Sequence, residues 1–242
     1  MSHLGTMLLR RVRIGLRASL PALQRRLPDG WEVHPDRRKV SQGSNVAVLF
    51  YEIFLNQSAQ APQLTTAHAV GRYFVLGIPS RHRQTEEAAF MVFRILTAHP
   101  TGDNPFGWKG VAAGRTTVHA NIVRSETLEA SDLETTVSDR IEARLGQSVV
   151  ALDFRYRRGM PERVASEGRV RFAADPEHVR VYEADELADV VKSVPAAIDR
   201  LEQFGLSVTL PELADIFDGS EHVVNLTVQP WFLRQVYAPS TA

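Results

Sequence analysis

Two charges stand alone in apolar surroundings, and their types make them the first candidates for chemistry. Glu52 interrupts the run NVAVLFYEIFLN over residues 45–56, and Arg94 interrupts AAFMVFRILT over 88–97. A carboxylate or guanidinium in such a run must be ion-paired, hydrogen-bonded or aimed at a polar ligand. One reading is a buried ion pair, or two separate side chains reaching a sheet edge. The other is a pocket in which Glu52 acts as acid/base and Arg94 binds a small polar ligand. His119 alternates with Val118 and Ala120 on a polar strand face. It is either a third lining residue or a surface or satisfied core histidine.

Lys109 raises a different chemistry. Three lysines, Lys39, Lys109 and Lys192, occur among 28 basic residues. Lys109 follows Trp108 in the Gly- and Pro-containing loop after the Arg94 strand. A Schiff-base lysine needs a pKa lowered by burial or by a neighbouring cation. Arg94 supplies that cation if the loop folds back over its strand. A solvated lysine with its stem on Trp108 is the alternative.

The elements that must position these residues are mostly strands. Residues 11–17 alternate, with Val12, Ile14 and Leu16 on one face between Arg11, Arg13 and Arg17. Ser19 is placed to cap a short helix with Pro21 in its first turn, and Pro28-Asp29-Gly30 ends it in a turn. Residues 45–56 are apolar on both faces, as in a strand covered on both sides. Further strands are expected at 73–78, 115–124, 149–157, 222–229 and, in two pieces, 168–182. Helices are expected where apolar residues recur four apart (Leu133, Val137, Ile141, Leu145). A longer one is expected over 185–205, through Leu187, Val190, Val191, Val194, Ile198 and Leu201, with a kink at Pro195. Crossover helices between strands are too few for a doubly wound parallel sheet. The fold class expected is α+β, a large, mostly antiparallel, barrel- or cone-like sheet with a few peripheral helices.

Composition excludes several classes. The chain has 242 residues, 44% hydrophobic and 23% charged, with a formal net charge of zero. No global field draws in nucleic acid or an anionic membrane, and no apolar run approaches the ~18 residues of a spanning helix. The absence of cysteine removes disulfides and thiolate chemistry and fits the cytoplasm. Phosphate loops, HExxH and GxSxG are missing, and the eight histidines are scattered singly, so no metal site is expected. Residues 1–6 read as an added or disordered extension, with 7–242 as one domain.

Several stretches together resemble the acetoacetate decarboxylase superfamily. They are RIGLRASLPALQRRLPDGWEV, VAVLFYEIFLN, FRILTAHP and LPELADIFDGSEHVVNLTVQPWFLRQVY, in the family's order and spanning most of the chain. The resemblance implies a cone-shaped mixed sheet and a homo-oligomer. It places Glu52 at an active-site glutamate and Arg10 near an active-site arginine. The family's lysine pair, which forms the iminium in decarboxylation, falls at Thr101-Gly102, and its second glutamate falls in a loop without a carboxylate. The expectation is therefore a decarboxylase-like protein that binds a small oxo or carboxylic acid without true acetoacetate decarboxylase activity. Glu52 and Lys109 are the candidate catalytic residues, and Arg10, Arg94 and His119 the candidate ligand-binding residues. No cofactor, nucleic acid or membrane is expected as partner. The alternatives are a non-enzymatic binding protein on the same fold and a Schiff-base lyase using Lys109.

Overall fold

The computed structural model describes residues 1–60, 71–97, 118–129, 134–145 and 148–239. In chain order the elements are β1 (Ser2–Arg17), α1 (Leu20–Gln24), β2 (Trp31–Val33), β3 (Val46–Ser58), β4 (Gly71–His82), β5 (Ala88–Thr97), β6 (Val118–Glu129) and β7 (Glu134–Leu145). There follow β8 (Ser148–Arg157), β9 (Glu162–Phe172), β10 (Asp175–Ser193), β11 (Ile198–Asp199), β12 (Leu201–Val208), a 3₁₀ turn (Pro211–Leu213) and β13 (His222–Ala238).

Seven strands close into a mixed barrel in the order β10-β13-β1-β3-β4-β5-β9, with β9 pairing back to β10. The β5–β9 pairing is parallel, through Phe90, Met91 and Val92 against Val170, Arg171 and Phe172. Closure gives every barrel strand an inner face, and the outer face is buried where other elements cover it. On β1, Met7 and Leu9 point into the barrel with Leu49, Tyr51, Tyr73 and Phe232. Val12, Ile14 and Leu16 point outward. A second, four-stranded sheet, β12-β8-β7-β6, packs on that outer face. Its Val137, Ile141, Leu152 and Phe154 join Val48, Phe50, Phe74 and Leu76 in one core. This double cover is why residues 45–56 are apolar on both sides.

Helix is scarcer than the sequence expectation. Among the described residues there are one five-residue α-helix and the 3₁₀ turn. Residues 133–145 fall largely in β7, because residues four apart share a face in a strand as well as in a helix. The expected long helix is the end of β10, a turn, β11 and β12. The β-branched pair Val190 and Val191 favours strand, a register shift lets both be buried, and β10 ends at Ser193, with Pro195 in the turn that follows. Residues 2–6, expected as an extension, are the first part of β1 and pair with β13 and β3. The turn at Pro28-Asp29-Gly30 is present, with Gly30 at φ +83, a conformation that favours glycine. No described helix is long and apolar enough to cross a membrane.

Candidate functional site in the barrel

The same alternation that puts Val12 outside puts Arg11 and Arg13 inside. They line a cavity of about 740 Å³ within the barrel, together with Leu49, Tyr51, Tyr182 and Arg234. Arginines outnumber carboxylates among its described lining residues, seven to four. Gly77 helps shape it: a Cβ there would lie 2.3 Å from the Phe90 ring, and Phe90 is part of the cavity wall.

The interior charges are unevenly matched. Arg11 is bound through Nη2 to both Glu186 oxygens, at 2.8 and 2.9 Å, and through Nε to Gln229 Oε1 at 2.7 Å. Arg13 Nη2 donates to Asp36 Oδ2 at 2.9 Å, and Arg38 reaches the same carboxylate. Arg234, 6% exposed, makes no ion pair among the described residues. Its Nη1 lies 3.5 Å from the Tyr51 hydroxyl, and its Nε has no hydrogen-bond partner. Three rings surround its guanidinium, Tyr182 at 5.0 Å, Tyr51 at 5.2 Å and Phe232 at 5.4 Å. Such ring contacts return about 0.5–2 kcal/mol each, against several kcal/mol for burying an ion. An anion in the cavity would close that gap.

The two phenols beside Arg234 are tuned in opposite directions. Burial opposes ionisation of Tyr51, but the Arg234 and Arg11 guanidiniums outweigh it and hold the phenol below its ordinary value. Burial pushes Tyr182 well above the ordinary value, and its hydroxyl has no hydrogen-bond partner. Tyr182 is thus a fixed neutral donor, and Tyr51 is the phenol readier to release a proton.

Solved structures match this architecture over nearly its whole length. An acetoacetate decarboxylase-like enzyme from Sphingomonas wittichii RW1 aligns over 97% of this chain and 91% of its own, with a TM-score of 0.51 and 10% identity. The enduracididine biosynthesis enzyme MppR, complexed with the condensation product of pyruvate and imidazole 4-carboxaldehyde, aligns over 98% of this chain and 88% of its own, with a TM-score of 0.53 and 11% identity. The chain has the acetoacetate decarboxylase-like fold. No protein-family model and no curated protein matches the sequence. The family resemblance read from the sequence therefore holds at the level of the fold.

Within the acetoacetate decarboxylase-like barrel, the residues expected from sequence divide by face. Arg10 and Glu52 are opposite each other on β1 and β3, on the outer side covered by the second sheet. Arg10 Nη1 lies 4.0 Å from Glu52 Oε2, its Nη2 pairs with Asp139 of β7, and Arg72 Nε reaches Glu52 Oε1 at 3.1 Å. Glu52 thus has the cationic partners its surroundings demanded. Arg94 does not join them. It pairs opposite Leu76, whereas Glu52 lies opposite Arg72, four residues away along β4. Its Nη2 instead binds Oε1 of Glu212, in the 3₁₀ turn, at 2.7 Å. His119 is in β6 opposite Arg144. Lys109 lies outside the described residues. Among the described residues no group of three His, Asp or Glu could hold a metal ion.

Sequence reasoning passed over the interior set. Arg11 and Arg13 were visible as the polar half of an alternating strand, and polar halves are ordinarily solvent faces. Closure of the barrel turned that half inward. Arg234 had a weaker signal, a lone cation in the apolar FLRQVY run after Trp231.

Proposed function

We propose that the barrel cavity binds a small oxo or carboxylic acid whose carboxylate sits on Arg234, with Tyr51 and Tyr182 as flanking hydroxyl groups. The observation that carries this is a buried guanidinium with no ion-pair partner among the described residues, facing a cavity. An arginine fork with one unused nitrogen accepts a carboxylate through charge-assisted hydrogen bonds. The likeness in fold to MppR, whose complex holds a pyruvate condensation product, is consistent with the ligand class. Decarboxylation through a lysine iminium is not part of this reading. The positions where the resemblance expects the lysine pair carry Thr101 and Gly102, and no lysine is among the described residues that line the cavity.

Calorimetric titration with pyruvate and acetoacetate tests the binding. Wild type takes up the acids and the Arg234→Met variant does not; equal binding by both would remove Arg234 from the site. Borohydride trapping tests the Schiff-base alternative. An adduct with pyruvate that is lost in Lys109→Ala would replace this non-covalent reading with an amine mechanism.

A second reading is favoured by the opposed tuning of the two phenols. Ionised Tyr51 takes a proton from the carbon beside the oxo group, and the electron pair moves to the oxo oxygen. Tyr182, staying neutral, donates a hydrogen bond to the resulting enolate. Loss of pyruvate methyl protons in deuterated water, followed by NMR, measures this step. It should disappear in Tyr51→Phe while binding persists.

A further inference from the structure

The cavity is larger than a three- or four-carbon acid requires. At roughly 30 Å³ per heavy atom, the share of a water molecule in the liquid, such an acid fills about 200 Å³. The space available is about 740 Å³, within the ~300–1,000 Å³ range of sites for much larger ligands.

Cationic surplus also occurs at two depths. Arg234 pairs opposite Met7 on β1, whereas Arg13 lies six residues further along the same strand, about 20 Å of backbone at ~3.3 Å per residue. Side-chain lean shortens the gap, because the Arg234 guanidinium reaches the Tyr51 ring, opposite Arg11. At the Arg13 level a single carboxylate, Asp36, serves both Arg13 and Arg38. Exposed Arg37, also lining the cavity, makes no ion pair among the described residues. The wall here includes apolar Leu49, Phe90 and Val170.

We infer that the cavity takes an elongated diacid. One carboxylate sits on Arg234, an apolar body lies along Leu49, Phe90 and Val170, and a second acidic group sits at the mouth near Arg37 and the Arg13–Asp36–Arg38 cluster. This rests on the proposed placement of a carboxylate on Arg234 and adds the length and the second charge. A neutral tail would gain nothing from the mouth arginines, and a short diacid could not reach both ends.

The test is calorimetry on the full chain at fixed ionic strength with octanoate, succinate, suberate and sebacate. The eight- and ten-carbon diacids should bind about tenfold more tightly than succinate and than octanoate. Arg37→Ala, a change at an exposed position, should weaken suberate about threefold and leave octanoate unchanged. Arg234→Met should abolish binding of all four. Equal affinity for octanoate and suberate, with no effect of Arg37→Ala, overturns the second acidic end while leaving the Arg234 site standing. Preference for succinate overturns the elongated ligand. If wild type and Arg234→Met are alike toward every acid, the Arg234 site itself falls, and the diacid with it.

Discussion

Arg10 and Arg11 are consecutive on β1 and hold carboxylates on opposite sides of one barrel wall. Arg10 reaches Asp139 of the second sheet, and Arg11 reaches Glu186 inside the barrel. One guanidinium fastens the two sheets together, and the other belongs to the cavity. The two should respond differently to substitution.

Arg10→Ala leaves Asp139, 1% exposed, and Glu52 without their shared cation. Removing one partner of a buried pair costs about 3–5 kcal/mol. Urea melts should show a loss of that order, and acid binding by the remaining folded protein should be unchanged. A stable Arg10→Ala protein with lost binding would instead return Arg10 to the ligand-binding role that the family resemblance implies.

Arg234→Met should behave in the opposite way. The change removes a buried charge without orphaning a carboxylate partner, and apolar replacement of buried ions is often neutral or stabilising by about 1–4 kcal/mol. Thermal unfolding should occur at the same or a higher temperature. The stabilisation of wild type by added suberate, which follows from binding to the native state, should vanish.

Tyr51 should ionise below the ordinary tyrosine value of about 10, because Arg234 and Arg11 outweigh the effect of burial. Ultraviolet difference titration against Tyr51→Phe isolates this phenol, and its transition should move upward in Arg234→Met. A depressed acid contributes stability above its unfolded pKa and loses it as pH falls through the folded pKa. The stabilisation from Tyr51 ionisation is therefore complete above about 10 and is lost as pH falls through the depressed folded value. Tyr182 should not titrate until well above 10.

Asp36 anchors the segment between β2 and β3. Burial would raise its carboxyl, but Arg38 and Arg13 hold it well below the usual carboxylate range. Its contribution is complete above a pH of about 4 and is lost as pH falls further through the depressed folded value. Asp36→Asn should cost about 2 kcal/mol at neutral pH and flatten the acid limb of the stability curve. An unchanged acid limb would assign the acid sensitivity to other carboxylates.

Much of the architecture was legible in residue order. Covered strands announced themselves through apolar residues on both faces in 45–56, and the Pro28-Asp29-Gly30 turn through its residue types. The strand at 134–145 was not legible because a four-residue spacing satisfies both periods, and the one at 185–193 because a register shift between Val190 and Lys192 breaks the alternation. Glu52 could be read as needing a cation, but not that Arg10 and Arg72 would share the task while Arg10 also holds Asp139, since these residues come from β1, β4 and β7.

What the sequence by itself determined is the alternation: once β1 is a strand, Arg10 and Arg11 must point to opposite faces. What only the tertiary structure decided is which face is which. A strand pattern of apolar and charged residues does not say whether its charged side meets solvent or the inside of a closed barrel. That depends on β9 pairing with both its hairpin partner β10 and β5; the β5–β9 contacts join residues about 80 positions apart, and their energy comes from closure rather than from local preference. Closure places Arg11, Arg13 and Arg234 around one cavity, and it leaves Arg10 and Glu52 to join the two sheets.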